Sequence, residues 1–174
     1  MKNLLISGLP RCGKTTLVKQ ISDAQSLSDR IKGFITEEIR EKGERVGFKI
    51  ISLPEREEGF LARKGFSSPY WVGAYGVNIA HLEKIGVASI ERGLTSGKII
   101  LIDEIGKMEL FSEKFKKILV EALNSPQKVL ATIMERRHEF ADKIKERKDV
   151  RLVFLNRENF QNVFHEGRKW LESQ

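Results

Sequence analysis

Apolar side chains along the 174-residue chain recur in two rhythms, and the change from one to the other marks the elements. Leu4, Leu5 and Ile6 form a short continuous apolar run, as do residues 99–102 and Val129–Ile133. Such runs read as strands covered on both faces of a parallel sheet. Between them the spacing shifts to three and four. Leu17, Ile21 and Ala24 share a helical face, as do Phe111, Phe115, Ile118, Leu119 and Ala122, with Asn124-Ser125-Pro126 as the stop. Asn78 is a predicted N-cap for a helix reaching about Leu94, closed by Thr95-Ser96-Gly97. Phe140 and Ile144 mark a short helix, residues 150–155 a further strand, and Phe160, Val163, Phe164, Gly167 and Leu171 a C-terminal helix.

Residues 33–40 and 45–53 alternate around a polar turn at 41–44, the pattern of a β-hairpin. From 54 to 78 the rhythm weakens. One short strand candidate covers 60–63, and Phe66, Tyr70, Trp71 and Tyr75 follow among glycines and serines. Two readings of that aromatic segment stand side by side, a cover over the core and a functional flap. Strands alternating with helices predict an α/β domain, with right-handed crossovers and a mostly parallel sheet covered by helices on both faces. The hairpin is an addition to it. One domain, 1–174, suits this length.

Composition narrows the class. With 40% hydrophobic and 32% charged residues, the chain has the make-up of a soluble globular protein. Its longest apolar run is far short of the roughly 20 residues a membrane span needs. The opening Met1-Lys2-Asn3 and a four-residue apolar run do not make a secretory signal. A cytoplasmic protein without membrane attachment is expected. A net charge of +7 suits phosphate-bearing ligands. Nucleic acid remains a candidate partner without support, because the basic residues form no stripe. Nothing in the pattern specifies an oligomeric state. The single cysteine, Cys12, excludes an intrachain disulfide framework and a multi-cysteine zinc site.

The strongest chemical signal is the turn after the first strand. Gly8-Leu9-Pro10-Arg11-Cys12-Gly13-Lys14-Thr15-Thr16 matches the phosphate-binding loop pattern GxxxxGK[ST], with a strand before it and a helix after. Glycines let backbone N–H groups close around phosphate oxygens, and the helix N-terminus adds its positive end. Lys14 is assigned to the β- and γ-phosphates and Thr15 to a Mg²⁺ ion. Lys14 is expected to face solvent when no nucleotide is bound. A plain glycine turn is the competing reading, and the full pattern outweighs it.

Ligands of parallel sheets lie beyond the carboxyl ends of the strands. The 99–102 run ends on Asp103-Glu104, placing one acid for Mg²⁺ and a second for the attacking water. A D-x-x-G string, Asp103 to Gly106, also fits regulatory GTPases, but no N-K-x-D string for base recognition accompanies it. An Asp-Glu pair points instead to the P-loop division with its own catalytic glutamate. There the strand ending at Thr132 would lie between the phosphate-loop strand and the acid-bearing one. Thr132 then reads either as a hydroxyl facing the γ-phosphate or as an ordinary β-branched strand residue. Arg136 and Arg137 follow that strand and read either as an arginine finger or as solvated charges, with Lys107 a weaker candidate of the same sort. Asn156 and Arg157, with Tyr70, Trp71 and Tyr75, are candidates for flanking the nucleobase, since stacking on a π-face tolerates any base.

The blocks GLPRCGKTTL, GFITEEIREKGERVGFKIISL, VGAYGVN, IILIDEIGKMELFSEKF and FLNRENF together resemble a family. It is the small nucleoside-triphosphatase family of thermophiles and animals, whose animal members are called cancer-related nucleoside-triphosphatases. That resemblance covers nearly the whole chain. It implies a RecA-like P-loop fold and Mg²⁺-dependent hydrolysis of ATP, GTP, CTP and UTP to diphosphates and phosphate. Gly8, Gly13, Lys14, Thr15, Thr16, Asp103 and Glu104 occupy the matching positions. Arg11 departs from the glycine common there, and its side chain is expected either to crowd the loop or to add a phosphate contact. Two other functions compete: a nucleotide or nucleoside kinase, against which Glu104 argues, and a nucleotide-gated module binding RNA or protein.

Overall fold

A computed structural model describes residues 1–23 and 28–173. Ala24, assigned above to the first helical face, lies outside the described residues. Nine strands form one sheet in the order β5-β6-β4-β3-β2-β7-β8-β1-β9. They are β1 (Asn3–Ser7), β2 (Ile31–Glu41), β3 (Glu44–Leu53), β4 (Glu58–Lys64), β5 (Trp71–Val72), β6 (Tyr75–Val77), β7 (Ile99–Ile105), β8 (Val129–Ile133) and β9 (Val150–Phe154). The helices are α1 (Lys14–Ser22), α2 (Ile79–His81), α3 (Ala88–Thr95), α4 (Glu113–Asn124), α5 (Glu139–Lys145) and α6 (Phe160–Glu172).

The half β2-β7-β8-β1-β9 is parallel throughout. The continuous apolar runs are explained by it, because side chains alternate across a sheet buried on both sides. Leu4, Ile6, Ile99, Leu101 and Leu130 face Leu17, Val18 and Ile21 of α1 and Val163 and Leu171 of α6. Leu5, Ile100, Ile102, Ala131 and Ile133 face the other layer, with Ile90 of α3, Phe115, Ile118 and Leu119 of α4, and Ile144 of α5. Helices thus cover both faces, and β8 lies between β1 and β7 as the acid pair implied.

The other half is antiparallel, and it is larger than the predicted hairpin. β3 pairs with β2, β4 with β3, β6 with β4, and β5 with β6. The segment from 54 to 78, in which only one short strand was expected, supplies β4, β5 and β6. Its periodicity is weak because β5 has two residues and β6 three, too short for alternation to show. The sheet is therefore mixed. β2 joins the halves: it lies between β7, parallel to it over residues 31–34, and β3, antiparallel to it from Gly33 to Glu41.

The predicted N-cap at Asn78 is present, with Oδ1 accepting from the His81 N–H at 3.1 Å. The helical segment beyond it contains a π-helical turn, Leu82–Val87, between α2 and α3. Periodicity could not reveal that extra residue per turn. Among the described residues no helix is long and apolar enough to cross a membrane.

Phe115 ties the two halves together. It is fully buried on α4 and meets Phe34 of β2 edge-on, with ring centroids 6.2 Å apart. Replacing Phe115 by Ala is expected to lower stability by about 3–5 kcal/mol, measured by urea unfolding, while activity per folded molecule persists.

Candidate active site

The turn from Gly8 to Gly13 leaves β1 and enters α1 at the carboxyl edge of the parallel strands. Cys12 N–H donates to Leu9 O at 3.2 Å, and Gly13 O receives Leu17 N–H at 2.8 Å, which starts the helix. Gly13 sits at φ +102°, a conformation costly for any side chain, with the Phe160 ring of α6 3.3 Å from where a Cβ would stand. Phe160 thus backs the turn, a role that helical spacing alone had marked only as core. Leu9, Pro10, Arg11 and Thr16 are exposed and Cys12 half-buried. Arg11 has φ +64°, so the common glycine there relieves backbone strain. Its side chain points to solvent and does not crowd the turn.

Lys14 does not face solvent. It is buried, and its Nζ donates to Gly8 O at 2.9 Å and Leu9 O at 3.3 Å. Carbonyl oxygens curled around the helix start supply acceptors that water would otherwise have to provide.

Asp103 is where the elements meet. It is 0% exposed. Thr15 Oγ1 of α1 donates to Oδ1 at 3.1 Å, and Thr132 Oγ1 of β8 to the same oxygen at 2.7 Å. Thr36 of β2 donates to Oδ2 from its N–H at 3.4 Å and its hydroxyl at 3.3 Å. Thr132 therefore spends its one proton on the acid, not on a γ-phosphate. Burial pushes the Asp103 carboxyl up, against the pull of these hydrogen bonds toward the charged form. No cationic side chain pairs with it among the described residues. Thr36 escaped the sequence reading because only the alignment of β2 beside β7 brings it to Asp103.

The acid pair lies on a bulge. Ile102 pairs with Ala131 and Ile105 with Ile133, so Asp103 and Glu104 together oppose Thr132 alone. The peptide between the two acids is cis. Burial pushes Glu104 up, Lys14 nearby pulls it back, and Asp103 pushes it up further. A third acid, Glu109, is 4% exposed and was missed, because one acid in MEL carries no motif. Its Oε2 accepts the Gly106 N–H at 3.2 Å. Burial, and then Glu104, push its carboxyl up to about 8.

Arg136 and Arg137 stand exposed after β8, with no hydrogen bond or ion pair among the described residues, and Lys107 is exposed after the acids. The proposed base site does not assemble. Asn156 Oδ1 accepts the N–H groups of Glu158 (2.9 Å) and Asn159 (2.9 Å), a turn that leads into α6. Arg157 is exposed. Tyr75 packs on Phe48 at 5.3 Å between centroids, and its hydroxyl meets Arg45. Tyr70 leans on Phe111 at 5.1 Å. Trp71 and Tyr75 lie on β5 and β6 while Asn156 follows β9, at opposite ends of the sheet. At roughly 4.8 Å per strand, the eight steps from β5 to β9 span about 38 Å, too far for one base.

The profile of a family described as NTPase matches residues 3–166. A Thermotoga sp. (strain RQ2) protein named nucleoside-triphosphatase THEP1 is 48% identical over 94% of this chain and 91% of its own length. A protein of the same name from Methanocaldococcus jannaschii is 40% identical over 94% of this chain and 93% of its own. The crystal structure of THEP1 from Aquifex aeolicus superposes with a TM-score of 0.89, at 37% identity, over 98% of this chain and 99% of that one. The solution structure of a human cancer-related nucleoside triphosphatase gives a TM-score of 0.84, at 29% identity, over 100% and 99%.

The Glu109 carboxyl yields a pH prediction. Its folded value of about 8 lies above the ordinary 4.5, so its contribution to stability is complete below pH 4.5 and is lost as pH rises toward 8. Glu109→Gln has no such proton to lose. Relative to the parent, this variant is expected to gain stability by up to about 1.4 kcal/mol per pH unit between pH 5 and 8. Urea unfolding of both proteins across that range checks it, and a flat difference would show that Glu109 is ionised throughout.

Proposed function

The chain belongs to the nucleoside-triphosphatase family whose profile spans residues 3–166, and from that premise we propose a Mg²⁺-dependent hydrolase converting ATP, GTP, CTP and UTP to diphosphates and phosphate. The relatives' shared name supports the activity. The parallel strand order β2-β7-β8-β1-β9 supports a RecA-like P-loop domain covering the whole chain. One observation carries the reading: Thr15 and Asp103, 88 residues apart in sequence, meet at 3.1 Å beside the turn that opens α1.

That pair also fits the cation. A hydroxyl and a carboxylate oxygen are hard donors suited to Mg²⁺, and Asp103 is a buried acid lacking a counter-charge among the described residues. Thr15 and Asp103 would hold the ion, with Thr36 and Thr132 keeping the carboxylate turned toward it. When bound, Mg²⁺ supplies positive charge against the phosphate oxygens in the transition state.

The remaining work falls to the chain. Backbone N–H groups of residues 11–16 enclose the phosphates, and Lys14 exchanges its carbonyl partners for β- and γ-phosphate oxygens. Glu104 orients the attacking water and takes its proton as the γ-phosphorus is attacked, and the nucleoside diphosphate leaves. Arg136 or Arg137 swings from solvent to offset charge on the transferring group. Broad base tolerance follows from contacts made to phosphates rather than to base edges.

Phosphate release from all four triphosphates, with and without nucleoside acceptors, separates hydrolase from kinase. Glu104→Gln is expected to bind Mg·ATP about as well as the parent, while kcat falls roughly 10²–10⁴-fold, the worth of a positioned base. Asp103→Asn is expected to weaken Mg·ATP binding as well. A near-normal kcat in Glu104→Gln would remove Glu104 from the chemistry and favour the kinase.

A further inference from the structure

The Glu104 side chain makes no hydrogen bond among the described residues, so its backbone must aim it. Besides the β7–β8 ladder, three bonds among the described residues hold the stretch that follows. Ile105 O accepts from Met134 N–H at 3.0 Å, and Gly106 O from Leu110 N–H at 3.0 Å. The third is the only one made by a side chain, Gly106 N–H to Glu109 Oε2 at 3.2 Å.

Gly106 also marks where the two carboxyls converge. A Cβ there would stand 3.1 Å from Glu109 Oε2 and 3.4 Å from both Cγ and Oε1 of Glu104. Both side chains therefore crowd the same bare Cα, which is why the position admits no side chain of its own. The neighbours of Glu109 in sequence, Leu110 and the half-buried Met108, belong to the apolar layer around α4. A leucine or methionine would fill the position at far less cost than a carboxyl. The retained acid calls for a reason beyond packing.

We propose that Glu109 is a positioning residue for hydrolysis, fixing the Gly106 turn and with it the direction of the Glu104 carboxylate. The proposal rests on the reading of Glu104 as the group that acts on water. The charged groups acting on Glu109 are Glu104 and Asp103, both on β7. Because burial favours its neutral form, a glutamine is a close copy: same length, an acceptor oxygen for Gly106, no charge. Aspartate keeps the acid but withdraws the acceptor by one methylene.

Glu109→Asp and Glu109→Gln separate geometry from charge, with kcat, KM for ATP and melting temperature measured on each. Glu109→Asp is expected to lose 10–100-fold in kcat, the scale of an ångström-level misplacement, with KM within about twofold. Glu109→Gln is expected to stay within about threefold of the parent in kcat. In Glu104→Gln/Glu109→Asp, kcat should be no lower than in Glu104→Gln alone, since a residue acting through Glu104 has nothing left to aim. Unchanged kcat in Glu109→Asp, an equal loss in Glu109→Gln, or additive losses in the double variant would overturn the positioning role. Those results leave Glu104 as base intact if Glu104→Gln is slow; a fast Glu104→Gln overturns the base assignment itself, and the positioning role with it.

Discussion

The site hangs on a buried carboxylate that three threonines hold from three directions. Thr15 comes from the helix after the phosphate-binding turn, Thr36 from the strand joining the two halves of the sheet, and Thr132 from the strand between. A carboxyl group at 0% exposure is tolerable only with its oxygens satisfied. Each threonine gives up its proton to one oxygen or the other, so α1, β2 and β8 must lie in register before Asp103 can be buried at acceptable cost. Solvation of one side chain thereby constrains the relative placement of most of the parallel half.

β2 shows how the two halves serve that constraint. With Phe34 level with Ile102, Thr36, the sixth residue of β2, stands beside the acids at the end of β7 and supplies both donors to Oδ2. Beyond it β2 runs on past β7 to Glu41, paired with β3 from Gly33 onward. The antiparallel extension stabilises that overhanging stretch by pairing it. Its far end returns to the loop after the acids, where Tyr70 rests on Phe111.

Legibility followed the range of the signal. Elements longer than about one turn or five residues were visible, because burial on two faces or one leaves a period in the residues themselves. The phosphate turn and the acid pair were visible because their chemistry needs neighbours in sequence. What stayed hidden depended on distant partners. Thr36 and Glu109 look like any polar residue until β2 aligns beside β7 and the loop curls back on Gly106. Thr132 was given two readings, and the bond to Asp103 belonged to neither. The base-flanking set failed for the same reason: Tyr75 and Asn156 are both polar residues near strand ends, but only strand order shows that those ends are at opposite margins. Lys14, expected to face solvent in the absence of nucleotide, is held instead by backbone carbonyls of its own turn.

Strand order also sets a timetable for synthesis. β1 emerges first, but its two neighbours are β8 and β9, with Asn3 paired to Val129 on one side and to Val150 on the other. At roughly 5–20 residues per second, the opening strand waits on the order of 10–30 s for partners. Until then β1 has neither of its neighbours to pair with, and its apolar run is open to unwanted pairing. The antiparallel half, built from neighbours in sequence, can close while the ribosome is still at work. Nucleotide binding is therefore a faculty the nascent chain acquires only once β8 and β9 have been made, and a chain cut short before Val129 would carry the phosphate motif without the means to use it.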